Sequence, residues 1–267
     1  MQTIGVASTF SPRFVQVLAE AKRMRDRLAA QLDLIYVGEK NGGTIRRFHD
    51  VLRELDLPPE TKVHYQQGDD PAVAIIEAAT AHGIDLIVAG ALEKEVMLRP
   101  FLGHVARQLV RRWNGSLILF TKPEQQPEPI RRIVFVAEYG EHGRRAFKQT
   151  LQLAAAECCE RLYVVRVHTS FDEARAAARE RPSPDARTLE EEEIALEEFI
   201  DTAGPTDVPI EARCVRGNTG YAALDFVQIV EANLLVVPMD TSLGPEKLPG
   251  QVAWITETIP CNLWVIR

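Results

Sequence analysis

The chain has 267 residues, 46% of them hydrophobic and 26% charged, the balance of a soluble globular protein with room for two ordinary domains. Its net charge of −7 excludes the basic footprint that nucleic-acid binding needs. No apolar run has the length of a transmembrane helix, and the opening MQTIGVAST has no basic flank or signal-peptide core, so a cytoplasmic protein with no membrane partner is expected.

The first element, IGVAS at 4–8, reads as a short apolar strand. An amphipathic helix follows, with Ser11 as its cap and Pro12 at its first position. Phe14, Val17, Leu18, Ala21 and Leu28 form its apolar stripe. LDLIYV at 32–37 and VHYQQG at 63–68 are the next strands. Asp70–Pro71 opens a helix that Gly83 stops. DLIVAG at 85–90 is a continuous apolar run, as in a parallel strand buried on both faces. A last helix and the strand SLILF at 116–120 complete the half. TKPEQQPEPIRR at 121–132 then breaks all regular structure.

The second half repeats the first. VFVAE at 134–138 echoes the first strand and LYVVRV at 162–167 the second, both at an offset of 130 residues. Phe147, Leu151, Ala154 and Cys158 make the stripe of the helix between them. ARCVRG at 212–217 matches VHYQQG at an offset of 149, so 149 − 130 = 19 extra residues precede it. This insertion holds two capping boxes, Ser170 with Glu173 and Thr188 with Glu191. The run Glu190–Glu193 reads as a solvated acidic helix face, with a partner-docking surface as the sharper alternative. NLLVVP at 233–238, a last helix and NLWVI at 262–266 close the half.

Alternation of strand and helix predicts an α/β fold: two tandem doubly wound domains, each a five-stranded parallel sheet flanked by helices. The expected domains are 1–122 and 131–267, joined by a linker at 123–130. Ligands of such sheets bind beyond the carboxyl ends of the strands, where the strand order reverses.

No catalytic constellation is present. G-x-S-x-G, H-E-x-x-H and G-x-x-x-x-G-K-[ST] are all absent. His49, His64, His82, His104, His142 and His168 lack ligand spacing; only His104, at a helix start, and His168, beyond a strand, are placed to meet a ligand. Cys158, Cys159, Cys214 and Cys261 form no C-x-x-C pair and read as small buried hydrophobes, with no metal or disulfide expected.

The order of elements, together with GDDPAVAIIEAATAHGIDLIVAGA and, more faintly, RGNTGYAALDFVQIVEANLLVVP, resembles the universal stress protein family in its tandem form. The resemblance spans nearly the whole chain. It implies an adenine-nucleotide-hydrolase-like sheet whose nucleotide-binding members place ATP over the strand ends. Those members carry G-x2-G-x9-G followed by Ser or Thr, an Asp ending strand 1 and a Val near the end of strand 2. Here Gly90, Glu93, Gly103 and His104 hold the motif positions, Ser8 stands for the Asp, and Val37 is kept. In the second half Glu138 and Val167 hold the strand positions, and Gly250–Gln251 stands near the Gly–Ser.

Glu93 would face the phosphates with like charge. At about 4 Å and an effective dielectric near 20 the repulsion is roughly 4 kcal/mol, or about three orders of magnitude in affinity. Pro238 removes an N–H donor in the second half. The resemblance therefore implies a non-enzymatic stress-response protein with a degenerate ATP site and no resident cofactor, acting through a small ligand or protein partner. ATP binding with slow hydrolysis, and a different small ligand in the same cleft, are the alternatives. The resemblance also implies an intramolecular pseudo-dimer, with SLILF against NLWVI, and leaves a further homodimer open.

Overall fold

The computed structural model describes residues 2–91, 102–169, 187–217, 221–240 and 259–267. The chain divides into two compact units, Met1–Glu128 and Pro129–Arg267.

Unit 1 runs β1 (Thr3–Ser8), α1 (Phe14–Leu28), β2 (Gln31–Val37), α2 (Gly42–Glu54), β3 (Val63–Gln66), α3 (Pro71–Ala81), β4 (Leu86–Gly90), α4 (His104–Arg112) and β5 (Ser116–Phe120). Its sheet has the order β3-β2-β1-β4-β5, and its strand pairs are parallel. From β1 to β3 the chain steps one way across the sheet; from β3 it crosses back to β4 and β5. Right-handed crossovers therefore put α1 and α2 on one face and α3 and α4 on the other. The order reverses between β1 and β4.

Unit 2 contains β6 (Arg132–Val136), α5 (Glu141–Ala156), β7 (Arg161–His168), α6 (Leu189–Asp201), β8 (Ile210–Arg216), α7 (Tyr221–Ile229), β9 (Leu234–Pro238) and β10 (Asn262–Ile266). Its strand order, β8-β7-β6-β9-β10, repeats that of unit 1, again with parallel pairs. The expected fold class is the one observed. The last helix expected of this half and the Ser170–Glu173 capping box lie outside the described residues.

Local signals account for most element boundaries. Asp70 Oδ1 accepts from the Ala72 and Val73 amides, at 2.9 and 3.4 Å, and Pro71 fixes the first helical φ of α3. Thr188 and Glu191 close their capping box reciprocally at the start of α6. Cores form where the strand runs are continuous: Ile4, Leu34, Leu86, Ile87 and Val88 are fully buried in unit 1, and Ile133, Val134, Val164 and Leu235 in unit 2.

Three expectations need correction. The first helix starts at Phe14, not at Pro12: Ser11, Pro12 and Arg13 form a turn in which the Phe14 amide donates to the Ser11 carbonyl at 3.1 Å. Proline's fixed φ suits such a turn as well as a first helical position, so the signal is shared. Cys158 does not extend the stripe of α5, which ends at Ala156; it is exposed in the left-handed turn that follows, with φ 53°. Glu192 is not on a solvated face: it is 6% exposed, on the same side of α6 as Leu196 and Phe199.

Candidate functional site

Unit 1 has a cavity of about 610 Å3 beyond the carboxyl ends of its strands, at the reversal of strand order. β1 supplies Ala7 and Ser8, β2 Val37, β4 Ala89 and Gly90, and β5 Phe120. The helix sides come from Val17 of α1, Pro71 and Ile75 of α3, and Val105 and Ala106 of α4. Thr9, Ser11 and Arg13 of the β1–α1 loop complete one wall. Strand ends and first helical turns converge because every crossover in a parallel sheet begins at the same edge.

Four of the residues singled out from sequence, Ser8, Val37, Gly90 and Gly103, line this cavity together. Ser8 is 3% exposed, and its hydroxyl donates to the Val6 carbonyl of its own strand at 3.0 Å. Gly103 caps α4, and its amide donates to the Ala91 carbonyl at 2.9 Å. Its φ of −59° is open to any residue. Gly90 has a different reason to be small: a Cβ there would stand 3.3 Å from Val17 Cγ2, across the cavity wall. His104, the first residue of α4, is exposed and does not line the cavity; its Nε2 lies 3.5 Å from Gln108 Nε2. Glu93 lies outside the described residues, as do Gly250 and Gln251.

In unit 2, Glu138 is half-buried two residues beyond β6, and Val167 is buried in β7. The neighbouring loop packs closely on α5: a Cβ at Gly143 would lie 1.8 Å from the Glu138 carbonyl oxygen. Beside it is a polar cluster that the sequence reading missed. Glu192 Oε1 accepts from the Tyr139 hydroxyl at 2.7 Å and from Arg166 Nε at 2.9 Å, and its Oε2 is 3.6 Å from Arg187 Nη1. The Arg166 and Arg187 guanidinium carbons stand 4.9 and 5.1 Å from the Tyr139 ring centre. Burial, then the adjacent Glu192 carboxylate, hold the Tyr139 phenol well above its usual range. Burial first, then Glu192 and Glu193, push the Cys214 thiol up to about 11. The legible signal for this cluster was Arg166, a charge inside the apolar strand LYVVRV.

A second missed cluster lies on β2, β3 and the end of α3. His64 Nε2 is 2.8 Å from Asp33 Oδ2, and the His64 and His82 rings stack at 3.7 Å. Desolvation first, then His64, lower the pKa of His82. Asp33, a carboxylate inside the run LDLIYV, was its signal.

No family model and no curated protein matches the sequence. Solved structures do match the fold. A protein of unknown function from Pseudomonas aeruginosa PAO1 superimposes with a TM-score of 0.75 at 15% identity, covering 100% of this chain and 92% of its own. One assigned as a universal stress protein, from Pseudomonas aeruginosa UCBPP-PA14, gives 0.74 at 15% identity, with 100% and 93% coverage. A universal stress protein from Archaeoglobus fulgidus DSM 4304 gives 0.65 at 13% identity, with 99% and 98% coverage. The site and sheet order define a doubly wound α/β protein with a strand-end cavity. More particularly, the chain has the fold of the two-domain universal stress proteins. Among the described residues no helix is long and apolar enough to cross a membrane.

Proposed function

We propose that the protein is a non-enzymatic, cytoplasmic stress-response protein that acts by binding a small ligand in the unit 1 cavity and signalling its occupancy to a protein partner. The observation that carries this reading is the cavity itself, a preformed space of about 610 Å3 at the reversal of strand order, within the size range of small-molecule sites. The described walls offer a ligand the hydroxyls of Ser8, Thr9 and Ser11.

The phosphate cradle is degenerate in this reading. Where nucleotide-binding members of the resembled family place an aspartate, Ser8 is tied to its own strand. A second reading, an ATP-dependent switch with slow hydrolysis, is favoured by one feature: the first turn of α4, from Gly103 to Ala106, borders the cavity, and a helix N-terminus attracts anions.

Native mass spectrometry of freshly purified protein tests the proposal. A small molecule retained at one per chain, and lost from a Val105→Trp variant, is the expected result. Steady release of phosphate from ATP, abolished by a change at Gly103, would move the assignment to the second reading.

A further inference from the structure

Two helices at matching places in the repeat present exposed faces of opposite charge, and from them we infer that two copies of this chain associate by docking α2 of one molecule against α6 of the other. Both helices lie between the second and third strands of their unit. On α2, Ile45, Arg46, His49 and Arg53 are exposed and share one helix face. On α6, Glu193, Ile194, Glu197 and Asp201 are exposed at the same spacing, each 194 − 46 = 148 residues on, and Glu190 extends the row by a turn.

The two stripes are complementary. Glu190 to Glu193, Glu197, Glu198 and Asp201 make α6 acidic, and the helix has no Lys or Arg. Like charges three and four residues apart repel along a helix, and a row of cations across a contact relieves that. α2 brings Arg46 and Arg53. Arg46 Nε donates to the Gly42 carbonyl at 3.0 Å and Arg53 Nη2 to Asp50 at 2.9 Å, which uses one of the five N–H groups of each guanidinium. With the helices antiparallel, Arg46 comes opposite Glu197 and Arg53 opposite Glu190, since 46 + 197 equals 53 + 190. Each stripe also carries a large exposed hydrophobic residue, Ile45 at 45% and Ile194 at 53%, which docking takes out of water. Every copy of the chain has both stripes, so a second copy supplies the complement. A contact between two helices is smaller than the standard interface of about 800 Å2 per partner, so the association is weak and sensitive to salt.

Sedimentation velocity of the intact chain over a concentration series tests this. Salt of about 0.1 M screens beyond about 10 Å and mutes the repulsion between two chains of net charge −7. Under that condition the wild type should associate reversibly, and salt of about 1 M should weaken it roughly tenfold or more. Arg46→Glu with Arg53→Glu, and Glu190→Lys with Glu197→Lys, should each abolish association alone. An equimolar mixture of the two variants should restore it, because each then meets a stripe of opposite sign. Both variants keep a net negative charge, so restoration comes from the stripes and not from overall attraction. Thermal melts show that each variant is folded. A wild type that stays monomeric throughout the series overturns the inference without any variant. So does association that survives both double substitutions, or a mixture of folded variants that stays monomeric.

Discussion

The same position in the fold carries a tyrosine in one unit and an arginine in the other. Tyr36 of β2 pairs in register with Tyr65 of β3, and Arg166 of β7 with Cys214 of β8. The offsets of the repeat match, since 36 + 130 = 166 and 65 + 149 = 214. Around Tyr36 unit 1 gathers rings: Tyr36 to Phe48 is 5.3 Å, Tyr36 to Tyr65 is 5.9 Å, and Phe10 to Phe48 is 4.8 Å between centres. Around Arg166 unit 2 gathers charge, with Glu192 held by Tyr139, Arg166 and Arg187. One layer is held by apolar burial and edge-on ring packing, the other by a desolvated carboxylate whose donors are all in place. The backbone tolerates both because strand register and helix position do not depend on which chemistry fills the layer.

The first loops differ in a related way. α5 starts at Glu141, equivalent to position 141 − 130 = 11, three residues before α1 starts at Phe14. In unit 1 those three residues stay out of the helix and line the cavity. In unit 2 they are helical, and Gly143 packs against the Glu138 carbonyl. A helix that begins early brings its first turn against the loop after its strand; one that begins late leaves three preceding residues to line a cavity.

The contrast can be broken at several points. Phe48→Ala should cost the aromatic layer about 3–5 kcal/mol, read from urea denaturation, because Phe48 is 2% exposed and touches four other rings. Glu192→Ala should cost about 3 kcal/mol by leaving two guanidinium groups and a phenol without their acceptor. Glu192→Gln, which keeps an oxygen acceptor, should cost less. Equal stability of both variants and wild type would mean that the charged cluster is decorative. Gly143→Ala should cost about 1–3 kcal/mol, since its new methyl must displace the Glu138 backbone.

The smallest effect is in pH. His82 has a folded pKa lowered from 6.5, so folding favours its neutral form. That contribution is present above pH 6.5 and is lost as the pH falls below 6.5 through the lowered value. His82→Phe keeps the stack on His64 and should flatten the acid side of the stability profile. An unchanged profile would show that the stack carries no linkage.

Much of this was legible from periodicity. Strand and helix alternate with clear periods, and the family resemblance pointed to Ser8, Val37, Gly90 and Gly103, which line one cavity. The cavity's polar wall was not legible, because Pro12 is equally at home in a turn and at a helix start, and three residues of helix decide what Ser11 and Arg13 face. Glu192 was hidden by its neighbours. In a run of four glutamates, composition says solvated; only the spacing to Leu196 and Phe199 marks this one as inward. Cys158 defeated the helical stripe because a left-handed turn ends α5 two residues earlier.

The central claim is that unit 1 keeps the strand-end cleft of its fold without the phosphate cradle. Isothermal titration of the intact chain with ATP and magnesium at millimolar nucleotide tests it most directly. The account predicts no saturable heat. A one-to-one isotherm with micromolar affinity, weakened by bulk introduced at Gly103, would contradict it.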